Sequence, residues 1–233
     1  MGRQQALRDT LRWIGDQEDG FAAALSPDER AEQGSLERWS PRDLLGHLAR
    51  WQEDLAESLR QTPPHGGAGQ SAELDETNAA YYEAMRGLSL EQVLERLRAA
   101  RAAVQSALAA LDDAALDVAE GVPGHEGRAL WRQIAGGAVV HPLLHLTTFY
   151  IERGRAVEAL ALMEAATPLL LSLDDSEPWR GVTLYNLACQ YAVAGRLEPA
   201  RRHLEQALAL NPGLTEWSRQ DPDLRALREA SEG

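Results

Sequence analysis

The sequence holds one cysteine, Cys189, in 233 residues, so no disulfide can close within the chain. Aromatic residues make up only 6% of it and β-branched residues are sparse, which removes the side chains that favour sheet; Ala and Leu dominate instead and favour helix. No segment sustains the apolar–polar alternation of a half-buried strand. Basic residues are also short, with 23 Lys+Arg against 36 Asp+Glu and a formal net charge of −13. Such a chain has no basic excess to neutralise phosphates or seek anionic lipid, which argues against nucleic acid and membrane surfaces as partners. The stretch from Met1 to Gly15 is broken by charges rather than holding an apolar signal core, and a cytoplasmic protein is expected. Gln133 to Ile151 contains no Asp, Glu, Lys or Arg and nears the ~20 residues of a membrane span. It holds two His, two Gly, two Thr and a Pro, and reads better as a buried helix of a bundle.

What is present is helical periodicity. The length allows one good core or two small domains. Leu7, Leu11, Ile14, Phe21 and Leu25 recur at helical spacing and predict a first helix from Gln4 to Ala24. Ser40-Pro41-Arg42-Asp43 reads as the start of a second, with Ser40 as cap and Pro41 in the first turn, running to Leu59. A Pro/Gly-rich loop is expected over Thr62 to Gln70, then a helical segment over Leu74 to Met85. Ser89 with Gln92 caps a third helix reaching Leu111. After a loop through Pro123 and Gly124, a fourth helix runs from Leu130 to Glu152. Gly136, Gly137 and Pro142 are poor residues for a helix interior, so either the helix kinks near Pro142 or a new one starts there with His141 just outside it.

The C-terminal third echoes itself. Tyr191, Gly195, Ala200, Leu204 and Ala207 are matched by Tyr150, Gly154, Ala159, Met163 and Ala166 at a constant offset of 41 residues. An aromatic, a turn glycine, then small and large residues at helical spacing are the pattern of a helix-turn-helix repeat. Leu184 to Pro212 closely resembles a tetratricopeptide repeat; the earlier copy lacks the closing Asn-Pro, and its first helix would be helix four itself. The expected division is residues 1–155 as a bundle and 156–233 as a repeat-like region, with helix four shared.

Three of the six histidines stand out. His141 and His145 are four apart, so on a helix their rings lie on one face about one turn apart. His47 sits within helix two on the apolar stripe of Leu44, Leu48, Trp51 and Leu55, where a histidine is either a satisfied core residue or a ligand. If helices two and four are neighbours, three imidazoles converge on one ion with positions left open for water or substrate. Imidazole suits Zn, Ni, Fe or Cu and does not choose among them. His65 and His125 fall in loops, His203 lies among arginines, and no role is assigned to these three. Trp51 and Cys189 read as core packing, the latter not as a nucleophile.

The pattern WSPRDLLGHLARW, then LDETNAAYYEAM, a long third helix and HPLLH resembles the DinB superfamily, in particular its ClbS/DfsB-like branch, over residues 1–155. That resemblance implies a DinB-like four-helix bundle, and with the repeat-like Leu184–Pro212 the expected fold is all-α, the bundle followed by a tetratricopeptide-like hairpin. The resemblance also implies a divalent metal (Zn, Ni or Fe) on His47, His141 and His145, and Asn78 as a substrate-binding residue. Relatives of this kind suggest a hydrolase or thiol-transferase acting on an electrophilic small molecule in detoxification or self-resistance. The alternative is a non-catalytic, stress-related scaffold whose repeat region binds a protein partner or builds a homodimer.

Overall fold

The structure, a computed structural model, describes residues 2–61, 71–119 and 129–230, with the side chains of 71–75 excepted. The loops expected over Thr62–Gln70 and at Pro123–Gly124, with His65 and His125, lie outside the described residues. Helices make up the regular structure and no strand occurs among the described residues, as the composition leads one to expect. The chain divides into two compact units, Met1–Pro142 and Leu143–Gly233.

The first unit runs α1 (Arg3–Ala24), α2 (Pro27–Ala31), α3 (Pro41–Arg60), α4 (Ser71–Met85), α5 (Leu90–Ala109), α6 (Asp113–Leu116) and α7 (Leu130–Ala135), followed by a π-helical turn over Gly136–Val140. Helix α1 buries the stripe of Leu7, Leu11, Ile14 and Phe21. Helix α3 starts where the sequence places it: the Asp43 amide donates to Ser40 Oγ, and the Asp43 carboxylate accepts from the Ser40 amide at 3.0 Å. Such a reciprocal cap contributes about 1 kcal/mol. The Ser89–Gln92 box does the same for α5. Helix α3 packs against α4, α5 and the π turn, while α1 packs against α5, α6 and the π turn. A four-helix core results, with Leu45, Leu48, Val93, Leu97 and Ile134 wholly buried. The short α2 and α6 escape a periodicity reading because so few residues define no face. Helix α2 nonetheless carries a legible start, a Ser26–Glu29 capping box with Pro27.

The fourth helix resolves the question posed by Pro142. The His141 amide donates to the Gly136 carbonyl, five residues back, which is the bonding of a π turn. Regular α-helix resumes in α8 (His141–Glu152), so Pro142 falls in a first turn, where a missing donor and a fixed φ are tolerated. His141 is thus inside the new helical segment rather than ahead of it.

The second unit holds α8 from Leu143 onward, then α9 (Ala156–Leu173), α10 (Glu177–Val193), α11 (Leu197–Leu210), α12 (Thr215–Ser218) and α13 (Arg225–Glu229), the last three separated by 3₁₀ turns. The 41-residue echo recurs in the backbone. Gly154 and Gly195 share a φ of +72°. Arg155 and Arg196 each donate an amide to the carbonyl of Tyr150 or Tyr191 at 2.8 Å, and each glycine amide reaches the carbonyl three residues back. These are paired Schellman caps, for which glycine is the least strained residue. Ala159 and Ala200, then Ala166 and Ala207, are the matching buried small residues. Helix α10 packs on both α9 and α11. Where it meets the end of α11, a Cβ on Gly181 would stand 2.5 Å from Asn211 Cβ. Gly181→Ala is therefore expected to cost about 1 to 3 kcal/mol by overpacking, read as a lower denaturant midpoint at unchanged slope; an unaltered midpoint would mean the two helices part freely.

Cys189 is buried beside Tyr185, and both donate to Asp221 Oδ2, the hydroxyl at 2.7 Å and the thiol at 3.8 Å. Burial, with Asp221 and Asp223 nearby, pushes the thiol far above its usual range. It stays protonated and serves packing, as expected from sequence.

Candidate metal centre

His47 lies in the second turn of α3, which the Ser40 cap and Pro41 set in register; its side chain is 5% exposed. His141 and His145 are half-buried, one turn apart on α8. The Nε2 atoms of His47 and His141 are 3.1 Å apart, and one ligand nitrogen from each of the three rings lies within 4.8 Å of the others. An ion bound tetrahedrally by imidazole at about 2.0–2.1 Å holds neighbouring nitrogens roughly 3.3 Å apart. The His47–His141 pair already has that spacing, and the donor set is that of an ion with an open position, so the residues fit a divalent metal. Burial pushes the His145 ring down to about 4, which keeps it neutral, with a lone pair to donate, at neutral pH.

Aromatic rings surround the cluster. The Trp39 ring sits 4.5 Å from that of His47, and Trp51 lies 6.1 Å from His47 and 5.6 Å from His141, centroid to centroid. Trp51 is half-buried beside the histidines, which corrects its assignment to the core. Its indole N–H needs an acceptor and finds Asn78 Oδ1 on α4 at 3.2 Å. Because indole nitrogen only donates, the contact also fixes which way the Asn78 amide faces. Tyr81 meets Trp51 edge-on at 5.6 Å and donates its hydroxyl to Asp54, while the Arg50 guanidinium lies over the Tyr81 ring. Close packing of α4 on α3 depends on Gly46, where a Cβ would come within 3.2 Å of Met85 Cβ.

The structure thus brings His47, His141 and His145 together, and places Asn78 next to Trp51. Trp39 and Tyr81 were not singled out by the sequence. Trp39 carried a signal all the same, since the residue before a helix cap often folds back onto the first turns. His203 stacks on Tyr191 at 5.3 Å and takes no part. Cys189, Asp221 and Asp223 also bring possible ligand atoms together, but Asp221 already accepts from Tyr185 and from the Asp223 amide and the thiol is held protonated. That group is a structural lock.

The profile of the DinB superfamily matches residues 11–149, which spans α1 to α8 and includes all three histidines. No curated protein and no solved structure matches the chain.

Proposed function

The chain belongs to the DinB superfamily, and from that premise we propose that His47, His141 and His145 hold one divalent ion, Zn, Ni or Fe, in an enzyme that inactivates electrophilic small molecules. The observation that carries this reading is the 3.1 Å separation of the His47 and His141 Nε2 atoms on two different helices, with the third imidazole one turn away. A divalent ion with an open position lowers the pKa of a coordinated water or thiol and so supplies a nucleophile near neutral pH. The protein's own part is to hold three neutral imidazoles, to shield the cluster with the Trp39 and Trp51 rings, and to present Asn78, oriented by Trp51, to the substrate. The ClbS/DfsB-like pattern of the sequence supports detoxification or self-resistance as the role, in the cytoplasm.

The test is to load metal-free protein with Zn, Ni or Fe separately and offer an epoxide or alkyl halide, with water alone or with a small thiol. Consumption of the electrophile is expected with one of the metals, and the product, diol or alcohol against thioether, separates hydrolase from transferase. Stoichiometric metal with no turnover under any combination would count against an enzyme. A second reading then stands, favoured by the duplicated Schellman caps at Gly154 and Gly195: a tetratricopeptide-like region that binds a protein partner, with the bundle as scaffold.

A further inference from the structure

The π turn over Gly136–Val140 stands directly before the helix that carries His141 and His145, and its hydrogen bonds do not all close. The His141 amide is taken by the Gly136 carbonyl. The Gly137 carbonyl would next accept from the residue five positions on, which is Pro142 and has no N–H. Among the described residues no other donor reaches it.

Aiming the histidines does not require this turn. Before it the buried apolar positions include Trp131, Ile134 and Ala138; after it they include Pro142, Leu146 and Phe149. At about 100° per residue, an unbroken helix would carry the stripe of Ile134 and Ala138 on to His141 and His145. Counting one residue fewer carries it instead to Pro142, Leu146 and Phe149, as found, and turns both imidazoles off the stripe. The turn thus holds one surplus residue, and a regular helix without that residue would aim the histidines the same way. What the surplus residue adds is a carbonyl without a donor.

That carbonyl lies beside the cluster. Gly137 is half-buried and stands against α3, where a Cβ would come 3.5 Å from Leu55 Cδ2. Leu55, Trp51 and His47 follow one another at four-residue spacing on α3, and the Trp51 ring packs 5.6 Å from that of His141. His141 follows Gly137 by four residues, roughly 6 Å along the axis, and helix carbonyls point toward the C-terminus. The Gly137 oxygen is therefore directed toward the turn that bears His141, with no side chain of its own to cover it. A half-buried acceptor left unpaired is costly, and a donor supplied by a ligand relieves that cost.

We propose that the Gly137 carbonyl is a substrate-binding acceptor, so that the electrophiles inactivated at this site carry an N–H or O–H donor next to the group held by the metal. The proposal rests on the reading of His47, His141 and His145 as a metal centre and narrows its substrates. An epoxide or halide flanked by an amide or hydroxyl is favoured over a bare one, by roughly five- to tenfold for one hydrogen bond.

The full chain loaded with Zn, after its Zn affinity has been measured by chelator competition, is titrated with acetohydroxamate and with N-methylacetohydroxamate. Both chelate through two oxygens, and only the first keeps an N–H. The parent is expected to bind acetohydroxamate five- to tenfold more tightly, and the carbonyl carbon signal of Gly137, labelled with ¹³C, should move downfield with that probe alone. Pro142→Ala puts an amide five residues after Gly137 and closes the carbonyl from within the helix. It should keep the Zn affinity of the parent, leave N-methylacetohydroxamate binding unchanged and abolish the preference. Equal binding of the two probes by the parent, a preference that survives Pro142→Ala, or loss of Zn from that variant would overturn the proposal while leaving the metal centre standing. A parent that takes up no Zn would overturn the metal centre, and this proposal with it.

Discussion

Replacing His47 by alanine is expected to lower metal affinity by roughly a hundredfold or more. A site worth about 10 kcal/mol shared among three ligands loses about 3 kcal/mol with each one removed. His141→Ala and His145→Ala should do the same, and all three should abolish metal-dependent turnover together. Competition titration with a chromogenic chelator measures the affinities directly. Trp51→Phe is the informative control, since it removes the hydrogen bond to Asn78 Oδ1 but leaves the ligands in place; metal binding should survive while substrate affinity falls. If His47→Ala alone retained full affinity, the site would reduce to the pair on α8, and the convergence of α3 on it would be packing.

The second large effect concerns a group remote from chemistry. Glu18 of α1 is wholly buried; it accepts from the Gln52 amide at 3.1 Å and from the Arg101 guanidinium at 2.8 Å, and Arg101 also binds the neighbouring Asp19. Burial outweighs the attraction of Arg101 and pushes the Glu18 carboxyl up to about 7 from an ordinary 4.5. With the folded value raised, the folded chain keeps its proton while the unfolded chain releases it. Stability from this group is therefore full below about pH 4.5 and falls as pH rises toward 7, by roughly 3 kcal/mol across the window. Glu18→Gln cannot ionise and still accepts from Arg101. The difference in unfolding free energy between parent and variant, measured at intervals from pH 4.5 to 8, should grow in favour of the variant. A difference that stayed flat or changed sign would mean that Arg101 dominates and the carboxylate is native.

Much of this architecture is legible in the sequence because short-range chemistry sets it. Ser40-Pro41-Arg42-Asp43 fixes the start of α3 and hence the depth at which His47 enters the bundle. Ser89 and Gln92 fix α5, and the 41-residue echo locates both glycine-capped turns. Spacing alone also places His141 and His145 on one face. What the sequence hides depends on partners far along the chain. Trp51 follows the apolar stripe of α3 and reads as core, but its indole N–H is drawn to Asn78, 27 residues on. The π turn leaves no periodic mark, since two glycines and a proline fit a kink, a break or a widened turn equally well, and only the bond from His141 to Gly136 distinguishes them. Glu18 follows Ile14 by one helical turn on the buried face of α1, where a carboxylate is unexpected; its acceptance there rests on Gln52 and Arg101 from two other helices.

The central claim is one divalent ion on three imidazoles. Elemental analysis of protein purified without a histidine tag, joined to X-ray absorption at the edge of whichever metal is found, addresses it most directly. The expected result is one Zn, Ni or Fe per chain with three imidazole nitrogens in its coordination shell, lost in His47→Ala. A parent protein that is free of metal and takes up none of the three ions on reloading would contradict it.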